Sequence, residues 1–201
     1  MSVCIVSCSV LKGELRQLRA EGKLDAELVF VSKNFHVDYA QLESNLRRIL
    51  KHTKERFDGK IVLVYGDLCL GQGEEMKELV NEYGIVKVDA LNCIDCQLGG
   101  RGRVLEADPE HNLMFMGPGM VEFFADMKRS LKHQGMDDEA MFRGLFSGIR
   151  GIMLLNTCGD KEALLRDLNE LGMGLEVIET IDIGPDNVLR LVLEALERDE
   201  V

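Results

Sequence analysis

The segment NCIDCQLGGRGR, residues 92–103, opens with a Cys-x-x-Cys pair, Cys93 and Cys96, and closes on a glycine-rich turn carrying Arg101 and Arg103. Thiols at this spacing serve a metal knuckle, a redox pair or an ordinary strand-to-helix turn. Two arginines on a glycine-rich backbone suit a carboxylate, sulfonate or phosphate. The pair alone does not choose among these readings. Residues of similar chemistry recur at Cys8, His36, Cys69 and Cys158. Around Cys69 the stretch YGDLCLGQGEEM adds Gly66, Gly71 and Gly73, whose backbone N–H groups ahead of a helix suit an anion. That run is neither a complete G-x-G-x-x-G nor a P-loop, and a tight turn explains it equally.

What these residues can do together depends on the elements that position them. Short β-rich runs recur at 2–8, 27–32, 60–66, 84–90, 113–117, 152–158 and 175–181, several of them apolar nearly throughout. Between most of them lie segments with helical spacing, such as YAQLESNLRRILKHT and NVLRLVLEALER. The alternation predicts an α/β fold, a single domain over 1–201 with one mainly parallel sheet and helices on both faces, doubly wound and Rossmann-like. An additional helix is expected within 137–149, as a lid or an interface.

In that arrangement Cys8, Cys69, Cys93, Cys96 and Cys158 sit at or just beyond strand ends, and His36 lies just beyond the second strand. All then face the carboxyl edge of one sheet, where open α/β proteins bind ligands. Cys4 lies inside the first strand and reads as a buried apolar residue. His52 and His133 end helical segments beside lysines and read as solvated cations, and His111 precedes a strand at the wrong edge. For each cysteine taken singly, core packing competes with a ligand role. Taken jointly, thiolates with an imidazole match zinc, which takes three protein ligands and keeps an open position, whereas four thiolates suit an iron–sulfur cluster.

Composition narrows the setting. Lys and Arg total 24 against 35 for Asp and Glu, a formal net charge of −11, which repels a nucleic-acid backbone. No apolar stretch approaches the roughly eighteen residues of a membrane span, so no membrane partner is expected. The opening MSVCIVSCSVLKGEL lacks a basic region and a cleavage site, which predicts a cytoplasmic protein. Six cysteines in 201 residues then read as thiols, ligands or core residues in a reducing compartment.

At these residues the chain resembles a family of unknown function, the domain numbered sixteen thirty-eight, frequent in methanogens and other anaerobes with corrinoid-dependent methyl transfer. CSVLKGEL is similar to the family's Cys-x-x-Leu-x-x-Glu-Leu, NFHVDYAQL to its histidine after the second strand, and YGDLCLGQG to its Tyr-Gly-x-Cys-Gly. NCIDCQLGGRGR is similar to its Asp-Cys-Ile stretch with a following basic loop. This chain carries Asn92 where the family has aspartate, one extra residue before Cys69, an additional Cys96 and no tryptophan. The resemblance selects Cys8, His36, Cys69 and Cys93 as site residues and implies a setting in one-carbon metabolism, with a corrinoid protein or methyltransferase as partner.

Three functions follow as expectations. The first is a zinc-binding enzyme or accessory protein in which Cys8, His36, Cys69 and Cys93, with Cys96 as a further ligand, hold the ion. It would act on a small thiol or anionic substrate, met by Arg101 or Arg103. The second is an iron–sulfur electron-transfer or reductive-activation module, and the third a non-catalytic cofactor-binding protein. On the first, the sulfurs of Cys8, Cys69 and Cys93 should converge closely enough to lie about 2.3 Å from one ion.

Overall fold

The computed structural model describes residues 2–71, 74–136 and 138–198, so Gly73 and Asp137 fall outside the described residues. Its strands are β1 (Val3–Cys8), β2 (Glu27–Val31), β3 (Lys60–Val64), β4 (Val86–Lys87), β5 (Leu113–Met116), β6 (Gly151–Asn156) and β7 (Val177–Asp182). Its helices are α1 (Lys12–Ala20), α2 (Tyr39–Arg56), α3 (Glu74–Tyr83), α4 (Cys93–Leu98), α5 (Arg103–Ala107), α6 (Pro118–His133), α7 (Glu139–Gly144), α8 (Lys161–Leu171) and α9 (Asp186–Arg198). The fold is α/β, and every strand pairing is parallel.

The strands divide between two sheets, of order β2-β1-β3-β4 and β5-β6-β7. The chain correspondingly forms two compact units, Met1–Val104 with Pro185–Val201, and Leu105–Gly184. This corrects the expectation of one sheet in one domain. Alternating strand and helix dictates parallel pairing, but which strands neighbour each other is decided by long-range packing that periodicity does not encode.

In the first unit β1 is central, with Ser7 level with Phe30 on β2 and with Val64 on β3. Both β1 and β3 are buried almost end to end, as parallel strands covered by helices must be. The C-terminal helix α9 returns to this unit. Its Val188, Leu191, Val192 and Ala195, at helical spacing, join Ile5, Leu15, Leu18 and Val62 in one core cluster. At the start of α2 the Asp38 carboxylate accepts from Ala40 N at 2.9 Å and Gln41 N at 3.1 Å, which caps the helix directly after the turn that carries His36.

The second unit has its own core, built from Met116, Ile152, Leu154, Leu164 and Leu168 with Phe142 and Phe146. The helix expected within 137–149 exists as α7, but it is not shaped as a lid. Phe142 and Phe146 are 3% and 4% exposed and meet edge-to-face at 5.3 Å between ring centroids, so lifting the segment would strip two aromatics from the core. Among the described residues no helix is long and apolar enough to cross a membrane.

Candidate metal centre

The order β2-β1-β3-β4 places a topological switch point between β1 and β3, the crevice where parallel α/β sheets bind ligands. Cys8 is the last residue of β1, and Cys69 lies in a short 3-10 turn, Asp67–Leu70, just after β3. Cys93 opens α4 and Cys96 lies one turn further on, both in the connection after β4. His36 sits in the 3-10 turn Lys33–Val37 that follows β2. Cys69, Cys93 and Cys96 are thus carried by short helical turns beyond the strands, whereas Cys8 ends its strand and Cys158 lies in a bend after β6.

Cys8, Cys69, Cys93 and His36 neighbour Tyr65, which immediately follows β3 and is 1% exposed. Its ring lies parallel to the His36 imidazole, 5.9 Å between centroids and 5° between planes. Nδ1 of His36 is 3.9 Å from the Cys8 sulfur and 3.3 Å from the carbonyl oxygen of Lys33. A carbonyl only accepts, so that contact requires a proton on Nδ1 and leaves Nε2 with the lone pair. Burial holds the imidazole's pKa below its ordinary value, against the raising effect of the Lys33 carbonyl.

The thiols sense one another. Burial first, opposed by the Val10 N–H and compounded by Cys69, pushes Cys8 up to about 12. Burial likewise raises Cys69 to about 11. Cys93 is raised well above the ordinary thiol value by burial and then by Cys8, Cys69 and Cys96, and Cys96 by burial and then Cys69. Four sulfurs separated by up to 88 residues in sequence therefore form one electrostatic neighbourhood, protonated at neutral pH. The structure does not preform the tight three-sulfur convergence: among the described residues no three His, Cys, Asp or Glu side chains stand close enough to hold an ion as they are. Cys4, fully buried within β1, is the core residue its position implied. Cys158 belongs to the other unit, where it lines a cavity of about 640 Å³ between α6 and α8.

The GGRGR loop is organised from within by a residue whose role the sequence did not reveal. The fully buried Asp95 carboxylate accepts from Leu91 N at 3.0 Å, Gly102 N at 3.0 Å and Val104 N at 2.9 Å. Its backbone carbonyl accepts from Gly99 N and Gly100 N. Wrapping the chain this tightly needs φ of 107°, 124° and 82° at Gly99, Gly100 and Gly102, a region that glycine alone enters without strain. The only sequence signal was an aspartate between two cysteines and ahead of a glycine run. Asp95→Asn should cost about 1–3 kcal/mol, because its amide NH2 turns a donor onto a backbone N–H that needs an acceptor. Urea unfolding at neutral pH checks this.

Arg101 is not turned to a ligand. Its guanidinium donates to Asp89 at 2.6 Å and to the buried Asp67, which also pairs with Lys87 at 2.8 Å. Arg103 is exposed at the first position of α5. Gly71, with φ of 136°, ends the Cys69 turn, and the Glu75 carboxylate lies 2.9 Å from where a Cβ would stand. Gly71 thus serves the turn in an acidic neighbourhood, and the anion cradle expected there has a carboxylate beside it.

A family model described as "Protein of unknown function (DUF1638)" matches residues 30–188. The matched span includes His36, Cys69, Cys93 and Cys96 and begins after Cys8. The solved structure of glutamate racemase from Aquifex pyrophilus is similar at 14% identity and a TM-score of 0.45, covering 98% of this chain and 84% of that one. No curated protein matches the chain significantly.

Proposed function

Because the chain belongs to the DUF1638 family, we propose that it is a metal-binding protein, zinc favoured, of anaerobic methyl-transfer metabolism, acting as an enzyme or as an accessory on a thiol or corrinoid-linked substrate. The observation that supports this reading is the gathering of Cys8, Cys69, Cys93 and Cys96 with His36 around the β1–β3 switch point. The donor set fits zinc in its chemistry: sulfur and imidazole nitrogen, with Cys8 and His36 already adjacent. Cys8, Cys69 and Cys93 would hold the ion through sulfur; His36 would join them through Nε2 only after its ring turns, since it is Nδ1 that faces the Cys8 sulfur.

A bound zinc supplies an electropositive centre at which a substrate thiol persists as thiolate. The protein's own contributions are to orient and to exclude water. Tyr65 holds the imidazole plane by stacking, the Lys33 carbonyl sets its tautomer, and the buried walls around Cys8 and Cys69 keep the crevice dry. Coordination requires the thiols to turn inward and release their protons, which couples metal uptake to pH.

A second reading is favoured by one observation, the complete burial of Cys96 beside Cys69 and Cys8. Four thiolates suit an iron–sulfur cluster in an electron-transfer or reductive-activation module. Anaerobic purification followed by metal analysis and a visible spectrum separates the two, since zinc is colourless and a cluster is brown. On the zinc reading, the protein carries about one zinc per chain, Cys69→Ser loses it, and Cys4→Ala retains it at some cost in stability. Equal metal loss from both variants, or protein that takes up neither metal when reconstituted under reducing conditions, would sink the metal-binding reading.

A further inference from the structure

The second unit holds the cavity of about 640 Å³ between α6 and α8. Asn156, the last residue of β6, and Cys158, just beyond it, line the cavity at the carboxyl edge of the parallel sheet. That is the edge at which such sheets receive ligands, and the volume suits a molecule larger than one free amino acid. On α6 the lining positions Val121, Ala125, Lys128 and Lys132 recur three and four residues apart, as do Ala163, Asp167 and Glu170 on α8. Each helix therefore turns one face to the cavity. Val121, Leu164 and Leu171 are buried and give it an apolar floor.

The two walls carry opposite charge. Lys128, Arg129 and Lys132 line the cavity from α6, with Glu122 nearer the start of that helix, whereas Asp167 and Glu170 line it from α8. Lys128 Nζ donates to the Leu171 carbonyl at 2.8 Å, which brings the basic stretch of α6 level with the end of α8. Arg129 pairs with Asp126 on its own helix. The side chains of Asp167 and Glu170 nevertheless make no hydrogen bond or ion pair among the described residues, so the gap between the walls is unbridged there. Asn156, 8% exposed, donates one N–H to the Asp182 carboxylate at 2.7 Å, and its side-chain carbonyl accepts from Gly159 N at 3.1 Å. That holds the amide in place with a second N–H for a ligand carbonyl.

We propose that this cavity binds a short apolar peptide with free ends, its ammonium toward Asp167 and Glu170, its carboxylate toward Lys128 and Arg129, and a peptide carbonyl on Asn156. A simple cation or anion would meet one attractive and one repulsive wall, whereas a zwitterion answers both, and the apolar floor selects its side chains. The candidate metal centre lies in the other unit, so this site does not depend on it.

The test is isothermal titration calorimetry of the full-length protein with leucyl-leucine and phenylalanyl-phenylalanine, each with free ends, N-acetylated or C-amidated. A free dipeptide should bind saturably, and either cap should weaken it about fivefold, the size of one exposed ion pair. In the double variant Asp167→Asn, Glu170→Gln the free and acetylated forms should bind alike, because the carboxylates that distinguish them are gone. Ala163→Leu, which keeps a good helix former on α8 while filling the cavity, should abolish binding. Thermal melts confirm that both variants fold. The inference is overturned if neither free dipeptide binds saturably, or if a capped form binds as well as the free one. It is equally overturned if the carboxylate variant keeps its preference for the free amine, or if folded Ala163→Leu still binds. None of these outcomes bears on metal uptake.

Discussion

Gly66→Ala is expected to lower stability by about 3 kcal/mol, near the top of the usual range for overpacking, and to abolish metal uptake with it. The added Cβ would lie 2.2 Å from the backbone nitrogen of Asn92 and 2.2 Å from the carbonyl carbon and oxygen of Leu91. All three are main-chain atoms, so no rotamer change relieves the overlap. The backbone at Gly66, φ −84° and ψ 158°, is one any residue adopts, so the cost comes from close approach alone. Asp67 N donates to the Ala90 carbonyl at 3.0 Å and Leu68 N to the Leu91 carbonyl at 2.9 Å, which knits the turn bearing Cys69 to the connection bearing Cys93. Wedging them apart separates two proposed ligands. Gly144→Ala is the control: nothing lies within 4 Å of its Cβ, and urea unfolding should find it neutral or slightly stabilised. A Gly66→Ala protein as stable as wild type would show that the two turns are not packed as described.

Asp67→Ala should cost about 3 kcal/mol through a different mechanism, a buried charge left without its partner. The Asp67 side chain is 5% exposed and that of Lys87 11%, whereas Arg101 is 44% exposed and keeps Asp89. Removing the carboxylate therefore strands chiefly the Lys87 ammonium, which among the described residues retains carbonyl contacts with Tyr65 and Val88. The pH dependence has a definite sign. Burial alone would raise the Asp67 pKa, but Lys87 and then Arg101 outweigh it and hold the carboxyl below its ordinary value. A carboxyl depressed in the folded state contributes stability above its unfolded pKa of about 4, and that contribution is lost as pH falls through the folded value. The gap between wild type and Asp67→Ala should accordingly be full at pH 7 and narrow below about pH 4. Thermal melts from pH 7 to 3 check it, and a gap that widened on acidification would refute the assignment.

Much of this molecule is written locally. The buried runs of β1, β3 and β6, the amphipathic spacing of α2 and α9, and the resulting parallel α/β class follow from continuous apolar runs and a 3.6-residue period that short segments carry by themselves. So does the placement of Cys8 at a strand end and of Cys4 within a strand, because the apolar run that defines the strand also defines its limits. Membership of the DUF1638 family was legible from the same motifs.

What local patterns do not carry is which distant residues meet. The division into two sheets depends on strand neighbours chosen by the whole core, and it moved Cys158 into a different unit from Cys8 and Cys69. Arg101 looked like a ligand for an anion because its chain neighbours are glycines, but Asp67, 34 residues away, claims its charge. Asp95 read as an unremarkable acid until folding enclosed it in backbone N–H groups from three parts of one loop. Tyr65 ended an apolar strand and opened the YGDLCLGQG motif, but nothing in that motif gave the tyrosine a role. Only tertiary structure set its ring against His36 and its hydroxyl near the sulfurs of Cys8, Cys69 and Cys93, because proximity between segments is settled by burial and sterics in three dimensions, which leave no period in the sequence.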